Sequence, residues 1–165
     1  MIPKTKEKLE KEYIRCEKSY VKIDKNLFQE YLNLAYEDLD SAVRETNPRW
    51  AITKAYQSLF LMCNAILVKK IGIYSKDHHC LIVALANEKL IKTPILNRIY
   101  ELLKSKEKLF EGLKPEDALF EEISRLRIER NSYLYLPKTL RKITKTSRDI
   151  LEEVRQLIKL LGEVE

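Results

Sequence analysis

Apolar positions recur at helical spacing along almost the whole chain. From about Asp24 or Asn26 to Thr46, the residues Phe28, Tyr31, Leu32, Ala35, Leu39, Ala42 and Val43 fall on one face of an amphipathic helix. Asn47-Pro48 stops that helix and starts another, because asparagine caps a helix well and proline suits the first turn. This second helix is expected over about Pro48 to Lys70. From Ala55 to Val68 it is apolar almost all round, broken by Gln57, Ser58 and Asn64. A helix greasy on every side belongs at the centre of a fold. Its polar exceptions, and Tyr56, are expected to find partners inside.

Gly72 ends the central helix, and Ile73–Asp77 is a connector. Ser75 or Asp77 caps a third helix over about His78 to Lys89. Thr93-Pro94 opens a fourth over about Pro94 to Phe110, with Ile95, Leu96, Ile99, Leu102 and Leu103 inward, and Gly112 closes it. Pro115 opens a fifth helical stretch, Glu116–Pro137. After Pro137 a last helix runs to about Leu161, with Ile143, Ile150, Leu151, Val154, Leu157, Ile158 and Leu161 on its apolar face and Gly162 at its end. The pattern shows no convincing strand and no internal repeat. The fold class is all-α, with four to five core helices over residues 27–162.

Residues 1–26 differ from the rest. They hold eight Lys or Arg against five Asp or Glu, and few large apolar groups: Leu9, Tyr13, Ile14, Tyr20, Val21 and Ile23 after Ile2. Glutamate–lysine pairs three or four apart support a helix here. The apolar surface is small, so the segment is expected to be a helical arm that packs loosely or against a second subunit.

Composition agrees with helices: only 3 Gly and 5 Pro in 165 residues, all at boundaries or near the start. Cys16, Cys63 and Cys80 are odd in number and scattered, which argues against a disulfide framework and for a reducing cytosol. The start, Met1 to Glu7, lacks the apolar region of a secretory signal. The most apolar run, Leu59–Val68, is far shorter than the ~20 residues that span a bilayer. The expectation is a cytoplasmic protein without membrane attachment.

The net charge of +6 is uneven. Lys138, Arg141, Lys142, Lys145 and Arg148 face a single acid, Asp149, within twelve residues. Most of these cations share one side of the last helix. They lie in its first turns, where the backbone dipole makes each cation cost roughly 0.3–1 kcal/mol. Local stability would not choose this pattern, whereas a bound polyanion would explain it. A solvated basic face is the plainer alternative.

Just upstream, the apolar stripe Leu119, Ile123, Leu126, Tyr133, Leu134 is interrupted by Arg130. Burying a guanidinium without partners costs several kcal/mol. Arg130 is therefore expected to have partners, to face a cleft or to sit at a subunit interface. Asn131 follows it and Tyr135 lies five residues on. Arg125 and Arg127 have glutamates near enough for ordinary surface pairs; Arg127 also counts, with Lys138, Arg141, Lys142, Lys145 and Arg148, among the candidate nucleic-acid-binding residues. His78-His79-Cys80 suggests a metal site, but adjacent helical positions point about 100° apart and no second ligand pair is present. No metal and no cofactor is expected. No glycine-rich phosphate loop and no Ser–His–Asp grouping can be picked out.

Three stretches resemble the HEPN domain family. Ala55-Tyr-Gln-Ser-Leu-Phe60 leading into Ala65-Ile-Leu67 and Gly72 is similar to the family's second helix. Ser75–Ile82 resembles the following loop and histidine-led helix. Arg130-Asn-Ser-Tyr-Leu-Tyr135 resembles the late-helix motif. The resemblance implies an up-and-down antiparallel bundle that forms homodimers, with the late-helix motifs of two subunits facing one cleft. It implies a metal-independent endoribonuclease of toxin type, or an RNA- or nucleotide-binding protein, whose partner is a nucleotidyltransferase antitoxin. The family motif is arginine, a polar residue, three more residues, then histidine. Arg130 and Asn131 match its first two positions, and Tyr135 stands where the histidine is expected. A tyrosine with pKa near 10 is a poor base at neutral pH. Losing a general acid/base costs about 10²–10⁴-fold, so the implied activity is weak or lost while binding persists. The alternative is a non-catalytic helical module that dimerises and binds an acidic partner.

Overall fold

The structure, a computed structural model, describes residues 2–110 and 137–163; for 105–110 and 137–146 it describes the helical backbone. In chain order these residues form α1 (Lys6–Arg15), β1 (Tyr20–Lys22), α2 (Phe28–Arg44), α3 (Pro48–Ile71), β2 (Ile73–Ser75), α4 (His78–Asn87), α5 (Thr93–Phe110) and α6 (Pro137–Gly162). Single 3-10 turns, Glu17–Ser19 and Lys25–Leu27, precede β1 and α2. The protein is mostly helical, as the apolar spacing predicts.

α3 is the centre. It packs against α2, α4 and α6, and fifteen of its residues are buried, including Leu59, Met62, Cys63 and Leu67. By length and composition α3 could cross a membrane, but 83% of its most apolar window is buried inside the protein, where α2, α4 and α6 cover it. The side chain of Asn47 caps it by accepting from the Arg49 and Trp50 amides at 3.0 and 3.4 Å. Gly72 ends it in the left-handed region, at φ 69°. That conformation favours glycine.

The polar residues of α3 divide. Ser58 and Asn64 are fully buried and bonded: Ser58 Oγ donates to the Ala35 carbonyl of α2, and Asn64 bonds the β2 backbone. Gln57, expected to need an inside partner, is exposed. Val43, expected on the inner face of α2, is also exposed, next to the C-terminal end of that helix. Of the apolar face expected for the last helix, Ile150, Val154, Leu157, Ile158 and Leu161 are buried and Leu151 is half-buried, while the side chain of Ile143 lies outside the described residues.

Two findings correct the sequence reading. The chain contains strands: β1 and β2 pair antiparallel, with Val21 opposite Tyr74. Three residues apiece are too few for an alternating pattern to appear. The N-terminal arm is also not loose. Its helix stops at Arg15, and the chain after it is fixed by the β1–β2 pairing, by Lys76 N–H donating to the Ser19 carbonyl at 3.0 Å, and by Ile23 N–H donating to the Gly72 carbonyl at 2.9 Å.

Candidate nucleic-acid interface

α6 begins at Pro137, where the sequence places a helix start. A proline there has no amide to leave unpaired and its φ is already helical. Lys138, Arg141, Lys142 and Lys145 occupy the first turns of this helix. Arg148 follows and is exposed. Ser147, Ile150 and Val154 are buried, which fixes the register of the helix on the core. Arg98 of α5 pairs with Glu153 of α6 at 2.9 Å, bracing the helix beyond the basic block. Arg127, Arg130, Asn131 and Tyr135 lie outside the described residues.

The histidine-led start of α4 resolves into three separate environments. Asp77 is the cap: its Oδ1 accepts from the Cys80 amide at 2.8 Å. Ser75, the other candidate cap, braces Asp77 instead, donating through Oγ to the Asp77 carbonyl at 2.9 Å. The His78 ring lies against Phe60, with centroids 4.6 Å apart. His79 Nε2 lies 3.5 Å from a carboxylate oxygen of Glu12 on α1. Cys80 is bonded to Cys16 in a disulfide, with Cα atoms 5.4 Å apart. Among the described residues no three His, Cys, Asp or Glu side chains group as metal ligands do.

The disulfide corrects the reading of the cysteines as a scattered, unpaired set. Cys16 follows the last residue of α1 and Cys80 lies in the first turn of α4, and the packing of α1 on α4 brings them together. A separation of 64 residues carries no local signal of this. Around the bridge, Tyr20 donates its hydroxyl to the Cys80 carbonyl at 3.0 Å, and its ring lies 5.2 Å from that of Tyr13. Burial, then the neighbouring Tyr13, Asp77 and Glu88, hold the Tyr20 hydroxyl well above the usual tyrosine range. The third cysteine, Cys63, is buried in α3, and burial pushes its thiol up to about 12. It stays protonated and inert at neutral pH.

No family model matches the chain, and no characterised protein or solved structure matches it either.

Proposed function

We propose that this is a HEPN-like protein that binds RNA or a nucleotide, acting as a homodimer. The observation that supports it best is the position of the basic block. α6 starts at Pro137, so Lys138, Arg141, Lys142 and Lys145 follow Tyr135 directly in the chain and rise along one helix. In helical register these positions and Arg148 fall away from the side that Ile150, Val154, Leu157 and Leu161 bury. The order of helices, with a central apolar α3 followed by a histidine-led α4, supports the same reading.

In this proposal Arg130 holds the phosphate charge, Asn131 and Tyr135 orient it, and Arg127, Lys138, Arg141, Lys142, Lys145 and Arg148 track the backbone. Tyr135 can donate a hydrogen bond but is a poor proton acceptor at neutral pH, so binding outlives cleavage. The test is incubation of a mixed single-stranded and structured RNA with the protein in EDTA, comparing wild type, Arg130→Ala and Tyr135→His. Binding without cleavage by wild type, and cleavage by Tyr135→His alone, is the expected pattern. Affinity that does not fall between 50 and about 200 mM salt would refute the phosphate track, since each neutralised phosphate adds to the salt dependence.

The second reading, an interaction module for a nucleotidyltransferase or another acidic partner, is favoured by the exposed Val43 near the end of α2 and Trp50 at the start of α3. There Arg130→Ala would weaken dimerisation or stability and leave RNA binding unchanged.

A further inference from the structure

α1 depends on its disulfide to a degree unusual for a packed helix. None of its residues is fully buried. Leu9 and Tyr13, both half-buried, are its contribution to a small apolar cluster with Cys16, Tyr20, Cys80 and Val83, and Tyr13 and the preceding Ile2 also touch the edge of the main core. The ten-residue length falls below the roughly 12–15 residues at which an isolated helix becomes even marginal in water. Its other link to α4, Glu12 to His79, is an exposed contact at 3.5 Å, of a kind that contributes little. Its internal pairs, such as Lys11–Glu7 and Arg15–Glu12, stabilise helix but not docking.

Immediately beyond Cys16 the situation reverses. The Ser19 carbonyl accepts from Lys76, β1 pairs with β2, and Ile23 bonds Gly72. These contacts need no bridge. The chain thus changes its anchorage at the Glu17–Ser19 turn: a bridge and a few half-buried side chains hold it before the turn, and backbone hydrogen bonds hold it after.

We propose that Cys16–Cys80 is a reducible latch. Closed, it holds α1 against α4; opened by a dithiol reductant, it frees residues 1–16 to swing away about the Glu17–Ser19 turn and uncovers the Cys80–Val83 face of α4. The exchange begins when a thiolate of the dithiol attacks Cys16 Sγ. The Cys16–Cys80 bond breaks, and Cys80 leaves as a thiolate, which the first turn of α4 favours. The second sulfur of the dithiol then displaces Cys16 and closes the reductant's own disulfide. Two electrons pass to the bridge and two protons complete its thiols. The cysteines are only 3% and 8% exposed, so attack follows fraying at the C-terminal end of α1. Cys63 takes no part, being sealed in α3.

The test uses the full chain, oxidised with diamide or reduced with dithiothreitol, and begins with a thiol count after denaturation. One thiol in the oxidised form and three in the reduced form are expected. Hydrogen exchange and limited trypsin digestion then compare the two. α1 carries Lys6, Lys8, Lys11 and Arg15 as cleavage sites. Reduction should speed cleavage and exchange there by about tenfold or more, leaving Pro48–Ile71 protected. The double variant Cys16→Ser, Cys80→Ser should match the reduced form in either buffer, and Cys63→Ala should keep the response. Three thiols after oxidation would overturn the proposal, as would equal protection of α1 in both forms. So would loss of the whole helical signal on reduction, because the bridge would then be a staple for the entire fold. If the double variant does not fold, the two forms of the wild type decide alone.

Discussion

Asn64→Ala should be among the most damaging single changes in the described core, and the reason is not the bonds lost but the groups left behind. Asn64 is fully buried in α3. Its Nδ2 donates to the Ser75 carbonyl at 3.2 Å and the Phe60 carbonyl at 3.3 Å, and its Oδ1 accepts from the Ser75 amide at 2.7 Å. Ser75 is itself fully buried, so truncating Asn64 strands its amide and its carbonyl away from water. Each stranded group costs about 1–3 kcal/mol, and the vacated carboxamide volume adds a smaller cavity term. The sum is roughly 3–5 kcal/mol, a large part of the 5–15 kcal/mol typical of a domain. Ser58→Ala is the control. Ser58 is equally buried and also bonds across helices, but its acceptor, the Ala35 carbonyl, lies in mid-α2 and keeps a helical partner. Only the net value of one bond is lost, about 1 kcal/mol. Urea unfolding with a slope of about 2 kcal/mol/M would then place the midpoint of Asn64→Ala about 2 M below wild type, and that of Ser58→Ala about 0.5 M below. Equal shifts for the two variants, with unchanged slopes, would refute the argument that stranded Ser75 groups dominate.

Three further outcomes follow from single residues. Lys89 sits at φ 52°, in the left-handed turn that closes α4, where the Leu90 amide donates to the Leu85 carbonyl at 3.0 Å; Lys89→Gly should raise stability by about 0.5–1 kcal/mol in thermal unfolding, since glycine lacks the Cβ penalty. Gly72→Ala should cost about 1–2 kcal/mol, because the position has φ 69° and a Cβ would come within 3.2 Å of the Ile23 carbonyl oxygen, a backbone atom tied to the same turn. Lys54 at 2.7 Å and the Asn47 amide at 3.1 Å hold the Glu45 carboxyl below the usual glutamate range. A depressed pKa contributes stability that is present above the unfolded value of about 4.3 and is lost as pH falls through the folded one. The stability gap between wild type and Glu45→Gln, on the order of 1 kcal/mol for this partly buried pair, should hold constant above about pH 5 and shrink below about pH 4 in a titrated urea series.

What could be read from the sequence was local. Asn47-Pro48, Gly72, Thr93-Pro94 and Pro137 mark helix ends because capping, a missing amide and a positive φ are properties of one or two residues. The burial of α3 was legible for a similar reason: a run apolar on all sides can be satisfied only inside. What could not be read depends on residues far apart in the chain, and most of it converges on one place. The nine residues from Gly72 to Cys80 receive a bond from Ile23, pair with β1, fill the polar needs of Asn64, cap α4 through Asp77, lay His78 on Phe60 and end in the bridge to Cys16. From sequence this stretch is a short connector with a histidine pair and a cysteine. In the structure it is the junction where the N-terminal segment, α3 and α4 meet. The tempting chemistry of His78-His79-Cys80 is absorbed there, each side chain turned to a different neighbour. The proposed function therefore rests on the basic start of α6 and on the Arg130–Tyr135 pattern. The basic block is separate from that junction, and it begins with Lys138 in the first turn of α6, where a cation opposes the helix dipole, a local cost that a bound polyanion would offset.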